Sequence, residues 1–565
     1  MLTERRLDYL ELLGRPPLER YTGETVAGHR QAVQEWCRHL ATLGLGRLGL
    51  PPERGGDPME LLRLVRCLAQ FDFSLMVRFG VHVGLVQGTI ARLGTERHLS
   101  WLEATSTLEQ IGCFAMTETD HGSNVRGLET RAVYLPEEQA FELSTPHRGA
   151  WKDYIGSALT GRFAIVFAQL ETAGEEHGVH AFLVVLRDGQ GKLLPGIQVE
   201  DCGPKMGLNG VDNGRLAFER VRVPRENLLD RFGSVTPEGR YSSPIANPTR
   251  RFFTILSNLV GGRMTLAAAS VEASRAGLAI ALRHAARRRQ FGPAGQPELR
   301  LIDYQMHQKR LIPRLALTEA VEAGVEHLIE LYGQGQEAEL ETFAAALKAY
   351  ATWNAGHTLR LCRECCGAFG YLSQSRLGDL LADTSIFTTF EGDNTVLSFL
   401  VARNLLKRLK GWKGALALLK LPVNPVLAAR TDLEHLSSRE FQLSALRFRE
   451  QRLMASLARR LRTRLAGKVD PFLALGECQE HALRLCTAHA ERVLAEKQGP
   501  EAPLGVLFAL GCLEADAAWF LEQGYFTPRK SRAIRALHLH LCAGLKQVAL
   551  ECIEQVAPPD HLVPL

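Results

Sequence analysis

Apolar positions along the chain change period three times, and the changes divide it. In LLRLVRCLAQF (61–71) apolar residues recur every three to four positions, which predicts a helix, and PPERGGDP (51–58) predicts the loop before it. Between about 111 and 235 the pattern shortens. FAIVFAQL (163–170) and HAFLVVL (180–186) are short, aromatic and β-branched, as strands are. Val221 and Val223 alternate with Arg220 and Arg222 until Pro224, which predicts another strand. Helical periodicity returns in GRMTLAAASVEASRAGLAIALRHAARRRQ (262–290) and ETFAAALKAYATWNAGHTLRLC (341–362). The prolines of LPVNPVLAAR (421–430) predict a linker, and a further helical block runs to Pro558-Pro559. The expected fold is mainly α with a central β domain. Its expected segments are a helical 1–110, a β domain 111–235, a helical bundle 245–410 and an extra helical domain 411–565.

Composition agrees with a large globular chain. At roughly 150 residues per domain, 565 residues suggest about four domains. The 67 Lys+Arg exceed the 62 Asp+Glu by only five, a balance that does not demand nucleic acid or an acidic membrane as partner. The first residues, MLTERRLDYLEL, are charged and lack the apolar core of a signal peptide. No uncharged apolar stretch approaches the ~18–20 residues of a membrane helix, so no membrane span is expected. Twelve cysteines without a disulfide-type spacing suit a reducing compartment. The ending Val563-Pro564-Leu565 is not a Ser-Lys-Leu type signal, and a cytoplasmic location is the expectation.

Several motifs fail on context. Gly44-Leu45-Gly46-Arg47-Leu48-Gly49 spells GxGxxG, but a helical pattern precedes it and Pro51-Pro52 follow, where a dinucleotide fold needs a strand before and a helix after. Cys362, Cys365 and Cys366 lack the second ligand pair of a zinc site. His538 and His540 would face different directions on a helix, so no metal is expected. No GxSxG or Walker sequence occurs. Residues 401–469 carry sixteen Lys/Arg against four Asp/Glu; a solvated helix face is one account, and nucleic acid or an acidic partner the other.

Four segments hold the candidate chemistry. CFAMTETDHGSNVRG (113–127) is dense in small polar residues and glycine, and offers hydroxyls and backbone N–H groups to a flat polar ligand. Trp151-Lys-Asp-Tyr-Ile-Gly156 precedes a strand, and Arg288-Arg289-Gln290-Phe291-Gly292 ends a long helix. Phe390-Glu391-Gly392-Asp393-Asn394-Thr395 sets a carboxylate beside an aromatic and a glycine, either as a helix-start charge or as a poised base.

Taken in order, these segments resemble the acyl-CoA oxidase and acyl-CoA dehydrogenase superfamily, and the oxidase branch more closely. The resemblance covers essentially the whole chain, including DFSLMVRFGVHVGLVQGTIARLGTERH (72–98), GPKMGLNGVDNGRLAFERVRVPRENLL (203–229), CRECCGAFGYL (362–372), TTFEGDNTVL (388–397) and ADAAWFLEQGYF (515–526). It implies an acyl-CoA dehydrogenase-like fold with an oxidase-type C-terminal domain, bound FAD, an acyl-CoA substrate and a homodimer. By position, Glu391 matches the catalytic base, Thr117 and Gly156 the partners of the isoalloxazine edge, and Ser123 a CoA contact. Arg288 and Phe291 match residues that reach a neighbouring subunit's FAD, with Gln305 and Gly367 beside them, and Asp393 matches the adenylate side. Two departures stand out: Asp153-Tyr154-Ile155 replaces a Trp-Trp-Gly-type segment, and Ala368 replaces the second glycine of a Cys-Gly-Gly turn. The implied reaction takes an α-proton to a carboxylate and a β-hydride to flavin, giving trans-2-enoyl-CoA in fatty-acid β-oxidation, with molecular oxygen as acceptor and hydrogen peroxide as product. Two alternatives are a dehydrogenase that passes electrons to an electron-transfer flavoprotein, and a DNA-associated alkylation-response flavoprotein, which the basic 401–469 stretch would suit.

Overall fold

A computed structural model describes residues 9–23, 25–108, 110–256, 259–409, 414, 423–499 and 502–563. Most of the N-terminal MLTERRLDYLEL segment, Leu421 and Pro422 of the linker and the final Pro564-Leu565 lie outside the described residues. The chain forms two units, Met1–Thr265 and Leu266–Leu565.

The first unit begins with helices α1 (Val26–Thr42), α2 (Pro58–Phe71), α3 (Phe73–Gly80), α4 (Gln87–Leu93) and α5 (Leu99–Ser106). Their starts are written in capping residues. Thr25 accepts from the Gly28 amide, Asp57 from Met59 and Glu60 with Pro58 behind it, and Asp72 from Leu75. The GxGxxG segment between α1 and α2 is a 3₁₀ turn, Leu45–Gly49; its second and third glycines answer to packing, and Gly44 to its left-handed backbone (φ +74°). A Cβ on Gly46 would lie 2.2 Å from the Ser106 carbonyl oxygen, and one on Gly49 2.3 Å from that of Val83.

Among the described residues eleven strands follow: β1 (Gly112–Ala115), β2 (Arg131–Leu135), β3 (Ala140–Ser144), β4 (Lys152–Ile155), β5 (Phe163–Thr172), β6 (Glu175–Val185), β7 (Ile197–Asp201), β8 (Gly214–Phe218), β9 (Val221–Pro224), β10 (Ser234–Val235) and β11 (Tyr241–Ser242). Helix α6 (Pro248–Ile255) then closes the segment. Strand β5 organises the larger sheet: it pairs in parallel with β1 and β2 and antiparallel with β6, and the order continues β2-β3-β9. A second sheet runs β4-β8-β7. Both faces of β5 are covered. Phe163, Ile165 and Phe167 pack with Val86, Ile90 and Leu102 of the helical layer, while Ala164, Val166 and Leu170 join Ile155, Leu216 and Phe218 of the second sheet. That is why its sequence is nearly continuously apolar rather than alternating. The strand expected to stop at Pro224 includes it, at the edge of the sheet, where a missing N–H breaks no ladder.

Two buried ion pairs lock this unit. Arg78 Nη1 meets Asp212 Oδ1 at 2.8 Å, and Thr160 bonds both partners. Lys152 of β4, fully buried, donates to Glu118 Oε1 at 2.9 Å. The same Glu118 accepts from the Glu129 amide (2.7 Å) and from the amide and hydroxyl of Thr130 (2.9 and 2.6 Å). One carboxylate therefore fastens both ends of the polar 118–130 loop to β4.

The second unit is helical: α7 (Leu259–Arg287, its start in the first unit), α8 (Gln305–Gly333), α9 (Glu337–Cys365), α10 (Leu377–Ser385) and α11 (Asn394–Lys407), then α12 (Pro425–Ala429), α13 (Leu433–Ser437), α14 (Arg439–Ala466), α15 (Pro471–Gly476), α16 (Gln479–Lys497), α17 (Pro503–Ala515), α18 (Ala517–Glu522), α19 (Pro528–Gly544) and α20 (Lys546–Val556). Val260–Arg287 and, in the first unit, Phe73–Leu93 have the length and hydropathy of a membrane helix, but 94% and 67% of their most apolar windows are buried in the fold. In α7 the buried Arg275 pairs with Glu319 of α8 at 2.8 Å. The linker differs from expectation. Asn424 caps α12 and Pro425 is its first residue, a position where proline's missing N–H would have had no partner. All twelve cysteines are free, ten of them buried.

Glu118→Gln leaves the Lys152 ammonium buried without its anionic partner, and we expect about 3–5 kcal/mol of lost stability at neutral pH. Burial pushes the Glu118 carboxyl up, but Lys152, Thr130 and the Glu129 amide outweigh it and hold the group below its ordinary 4.5. A depressed carboxylate stabilises fully above the unfolded value and loses that contribution as pH falls through the folded one. Urea midpoints measured from pH 7 to pH 3 should thus fall more steeply in the wild type than in the variant.

Candidate active site

In the first unit, the structure brings Thr117 beside the segment leading to Gly156. The Asp153 amide donates to the Thr117 carbonyl at 3.0 Å. WKDYIG does not merely precede a strand, since Lys152–Ile155 is itself β4, with an irregular register against β8. The departure at Asp153 is built in: its buried carboxylate accepts from Thr119 Oγ1 and Arg215 Nε, each at 3.0 Å, and from the Tyr154 amide at 2.8 Å. Tyr154 and Ser157 take left-handed backbone (φ +62° and +64°) on either side of Gly156. A Cβ on Gly156 would meet only Val211, at 3.6 Å, so the backbone there is open to a ligand. Thr117 is half-buried, and its hydroxyl makes no hydrogen bond among the described residues; Ser123 is exposed in the loop before β2.

In the second unit, Arg288 lies at the end of α7, where its amide donates to the His284 carbonyl at 2.8 Å. Helix α7 stops at Arg287, and residues 288–291 pair back on 299–301 as a hairpin: Leu301 N–H donates to the Arg288 carbonyl (2.8 Å), Gln290 N–H to that of Leu299 (3.0 Å) and Leu299 N–H to that of Phe291 (2.7 Å). The Tyr304 hydroxyl donates to the Gln290 carbonyl at 2.6 Å and lies 3.3 Å from that of Phe291, which ties the hairpin to Gln305, the first residue of α8. His307 and Arg310, further along the first turns of α8, reach the Cys365 carbonyl (3.4 Å) and the Glu364 carboxylate, two and three residues before Gly367. His284 stacks on Phe369 with rings 5.6 Å apart. Arg288, Phe291, Gln305 and Gly367 therefore share one locus. Burial and Arg288 hold the His284 imidazole below its ordinary value, and burial does the same at His307. Gly367 ends α9 in left-handed backbone (φ +55°), as a glycine after a helix does. Ala368 has ordinary helical angles (φ −62°), so replacing a glycine there costs the backbone nothing.

Glu391 lies in the turn before α11, half-buried, with Oε2 shut off from solvent. It has φ +56° and is followed by Gly392 at +102°. The helix-start charge is Asp393, not Glu391: its Oδ1 accepts from the Thr395 and Val396 amides at 2.8 and 3.3 Å. Pattern reading missed Lys348, which bonds this turn. The available signal was a lone cation in the apolar run AAALKAYA (344–351).

The residues fit FAD. A flat ring with carbonyl and N–H edges needs hydroxyl and amide partners on open backbone, as Thr117 and Gly156 offer, and a diphosphate needs an uncommitted guanidinium. Arg288 is exposed and makes no ion pair among the described residues. The triple cysteine behaves as packing: Cys362, Cys365 and Cys366 are buried, and burial pushes the Cys366 thiol up to about 12. The basic stretch is partly absorbed within its own unit. Arg447 pairs with Glu496 (2.8 Å), Arg464 with Glu477 (2.7 Å), and buried Arg449 with Glu491 and Asp516. Arg452, Arg459, Arg460 and Arg484 line a cleft of about 420 Å³, and Lys410, Lys413 and Lys420 lie outside the described residues.

Comparison with known proteins adds the family. Residues 256–406 match the model "Acyl-CoA oxidase, C-alpha1 domain" and residues 113–221 "Acyl-CoA dehydrogenase, middle domain". The chain is 38% identical to acyl-coenzyme A oxidase 2, peroxisomal, of Arabidopsis thaliana, over 92% of this chain and 82% of the relative. It is 32% identical to peroxisomal acyl-coenzyme A oxidase 3 of Homo sapiens, over 90% and 79%. Acyl-CoA oxidase 1 of Yarrowia lipolytica superposes with a TM-score of 0.90 at 28% identity, covering 99% of this chain and 87% of that one. Acyl-CoA oxidase-2 of Caenorhabditis elegans, solved with FAD, ascaroside-CoA and ATP, gives 0.86 at 25% identity, covering 99% and 87%. The expected cytoplasmic location is overturned by these relatives, whose plant and human members are named peroxisomal. Of the readings the sequence left open, the oxidase is the one the relatives carry. The chain belongs to the acyl-CoA oxidase family and is an FAD-dependent oxidoreductase of acyl-CoA thioesters.

Proposed function

We propose that Glu391 is the base of this oxidase and that it works from a turn built to aim it. The reaction removes two hydrogens from an acyl-CoA: the α-proton goes to a carboxylate, the Cα–Cβ double bond forms, and trans-2-enoyl-CoA leaves. Bound FAD would supply the acceptor for the β-hydrogen and its electron pair, with oxygen as the final acceptor and hydrogen peroxide as the product. The α-proton of a thioester is weakly acidic, so the base must be shielded from water and fixed in direction. The observation that carries the reading is the Glu391 backbone, held left-handed in a capped turn with one carboxylate oxygen out of solvent.

Thr117 and Gly156 are assigned to the isoalloxazine edge and Ser123 to the CoA moiety. Arg288, Phe291, Gln305 and Gly367 are assigned to the FAD of a second copy of this chain, and Asp393 to the adenylate side of the cofactor. The exposure of Phe291 (77%) and Tyr371 (85%), large apolar side chains at that locus, supports the second copy, because such groups are ordinarily covered. The segments 1–110, 111–235, 245–410 and 411–565 are retained as the domains of this assembly. Val86 and Ile90, in the apolar stretch Leu85–Ile90, are part of the core.

Glu391→Gln preserves shape and removes the proton acceptor. We expect FAD content to stay at the wild-type level and the rate of substrate-driven flavin bleaching to fall by about 10²–10⁴-fold. Rapid mixing without oxygen is the measurement, and bleaching at the wild-type rate removes Glu391 from the role. Arg288→Ala should lose FAD and subunit association together, with Arg288→Lys intermediate because an ammonium cannot make the planar paired contact. Gel filtration with flavin absorbance reads both, and a fully loaded monomer contradicts the shared site.

A further inference from the structure

Lys348 sits near the middle of α9 with none of its surface exposed. Its ammonium donates to the Gly392 carbonyl at 2.8 Å, to Asn394 Oδ1 at 2.9 Å and to the Thr388 carbonyl at 3.3 Å. Asn394 is held in turn, its Nδ2 donating to Thr352 Oγ1 (2.9 Å) and to the Ala349 carbonyl (3.3 Å). Thr352 lies one helical turn beyond Lys348 and donates back to the Lys348 carbonyl at 2.9 Å. The 388–394 turn is therefore fastened at both ends and at Gly392 to successive turns of one helix.

Glu391 lies inside that span at φ +56°, and Gly392 follows at +102°. A side-chain-bearing residue adopts left-handed backbone only where its surroundings hold it there, and such residues gather where direction matters. An apolar side chain of the same length would fill the space around Lys348 without taking a charge out of water. Burying an ammonium is unfavourable unless oxygens surround it, and here three of its oxygen partners belong to the turn that carries Glu391. We propose that Lys348 is a positioning residue for this reaction: through Gly392 and Asn394 it fixes the backbone of Glu391, and so the direction of the carboxylate. The proposal rests on the reading of Glu391 as the base.

The test compares Lys348→Met, Thr352→Val and Glu391→Gln in the full-length, FAD-loaded enzyme, with acyl-CoA kinetics and amide hydrogen exchange measured on each. Lys348→Met should lower kcat about 10–100-fold, the loss that follows from a base displaced by roughly 1 Å. Its KM should stay within about threefold, because the CoA contact assigned to Ser123 lies outside the turn. Exchange should quicken in peptides covering 386–396, while FAD content stays at the wild-type level. Thr352→Val, a near-isosteric change that takes one partner from the Asn394 amide and removes the hydroxyl's bond to the Lys348 carbonyl, should show the same pattern with a smaller loss in kcat, about 3–10-fold. Where Lys348→Met does not fold, Thr352→Val decides alone. Wild-type kcat and wild-type exchange at 386–396 in the folded variants overturn the proposal. So does a loss confined to KM or FAD content with that exchange unchanged. An active Glu391→Gln enzyme would instead remove the base reading, and the exchange data would still report whether Lys348 holds the turn.

Discussion

Taking a charge out of water costs several kcal/mol unless partners meet it inside, and both units of this chain are organised around cations that have been so removed. In the first unit Lys152 meets Glu118, and Arg78 meets Asp212. In the second, Arg275 meets Glu319, Arg449 meets Glu491 and Asp516, and Lys348 meets carbonyl and amide oxygens. These partners join segments far apart in sequence: 78 to 212, 449 to 516. Removing one member leaves the other unpaired, so the pairs enforce one arrangement of loops that hydrophobic packing alone would leave adjustable. The Thr117 segment, which closes on β4, and the Glu391 turn, which closes on α9, are both held in this way.

Hydrophobic period made the architecture legible where burial is simple. Strands β5 and β6 could be read because both faces are covered, leaving a short continuous apolar run of residues unsuited to a helix. The long helices α7 and α9 could be read because alanine dominates them. Boundaries were harder. The end of α7 at Arg287 and the hairpin beyond it depend on hydrogen bonds across some ten residues and on the Tyr304 hydroxyl, and neither leaves a periodic trace. Pro425 read as a breaker because composition does not distinguish a first helical residue from an interior one.

At the site, ordered motifs identified residue types but not how each is held. Asp393 matches a cofactor contact only by resemblance to the family, and its Oδ1 caps a helix. Asp153 looked like a departure, and its carboxylate gathers Thr119, Arg215 and a backbone amide. Lys348 was missed because its one signal, a lone cation in an apolar run, also suits a lysine that faces solvent from an alanine-rich helix. Only the three-dimensional path of the 388–394 turn gives it oxygens to meet.

An oxidase of this family releases hydrogen peroxide at each turnover, and the free cysteines bear on how long the protein lasts in its own product. Peroxide attacks thiolates, not thiols. Burial pushes Cys37 and Cys542 up to about 11, and Cys113, Cys366 and Cys486 up to about 12, so that at neutral pH they are held as the unreactive thiol. The packing that removes these sulfurs from water thereby makes them poor targets for oxidation, a chemical endurance that comes with the fold itself.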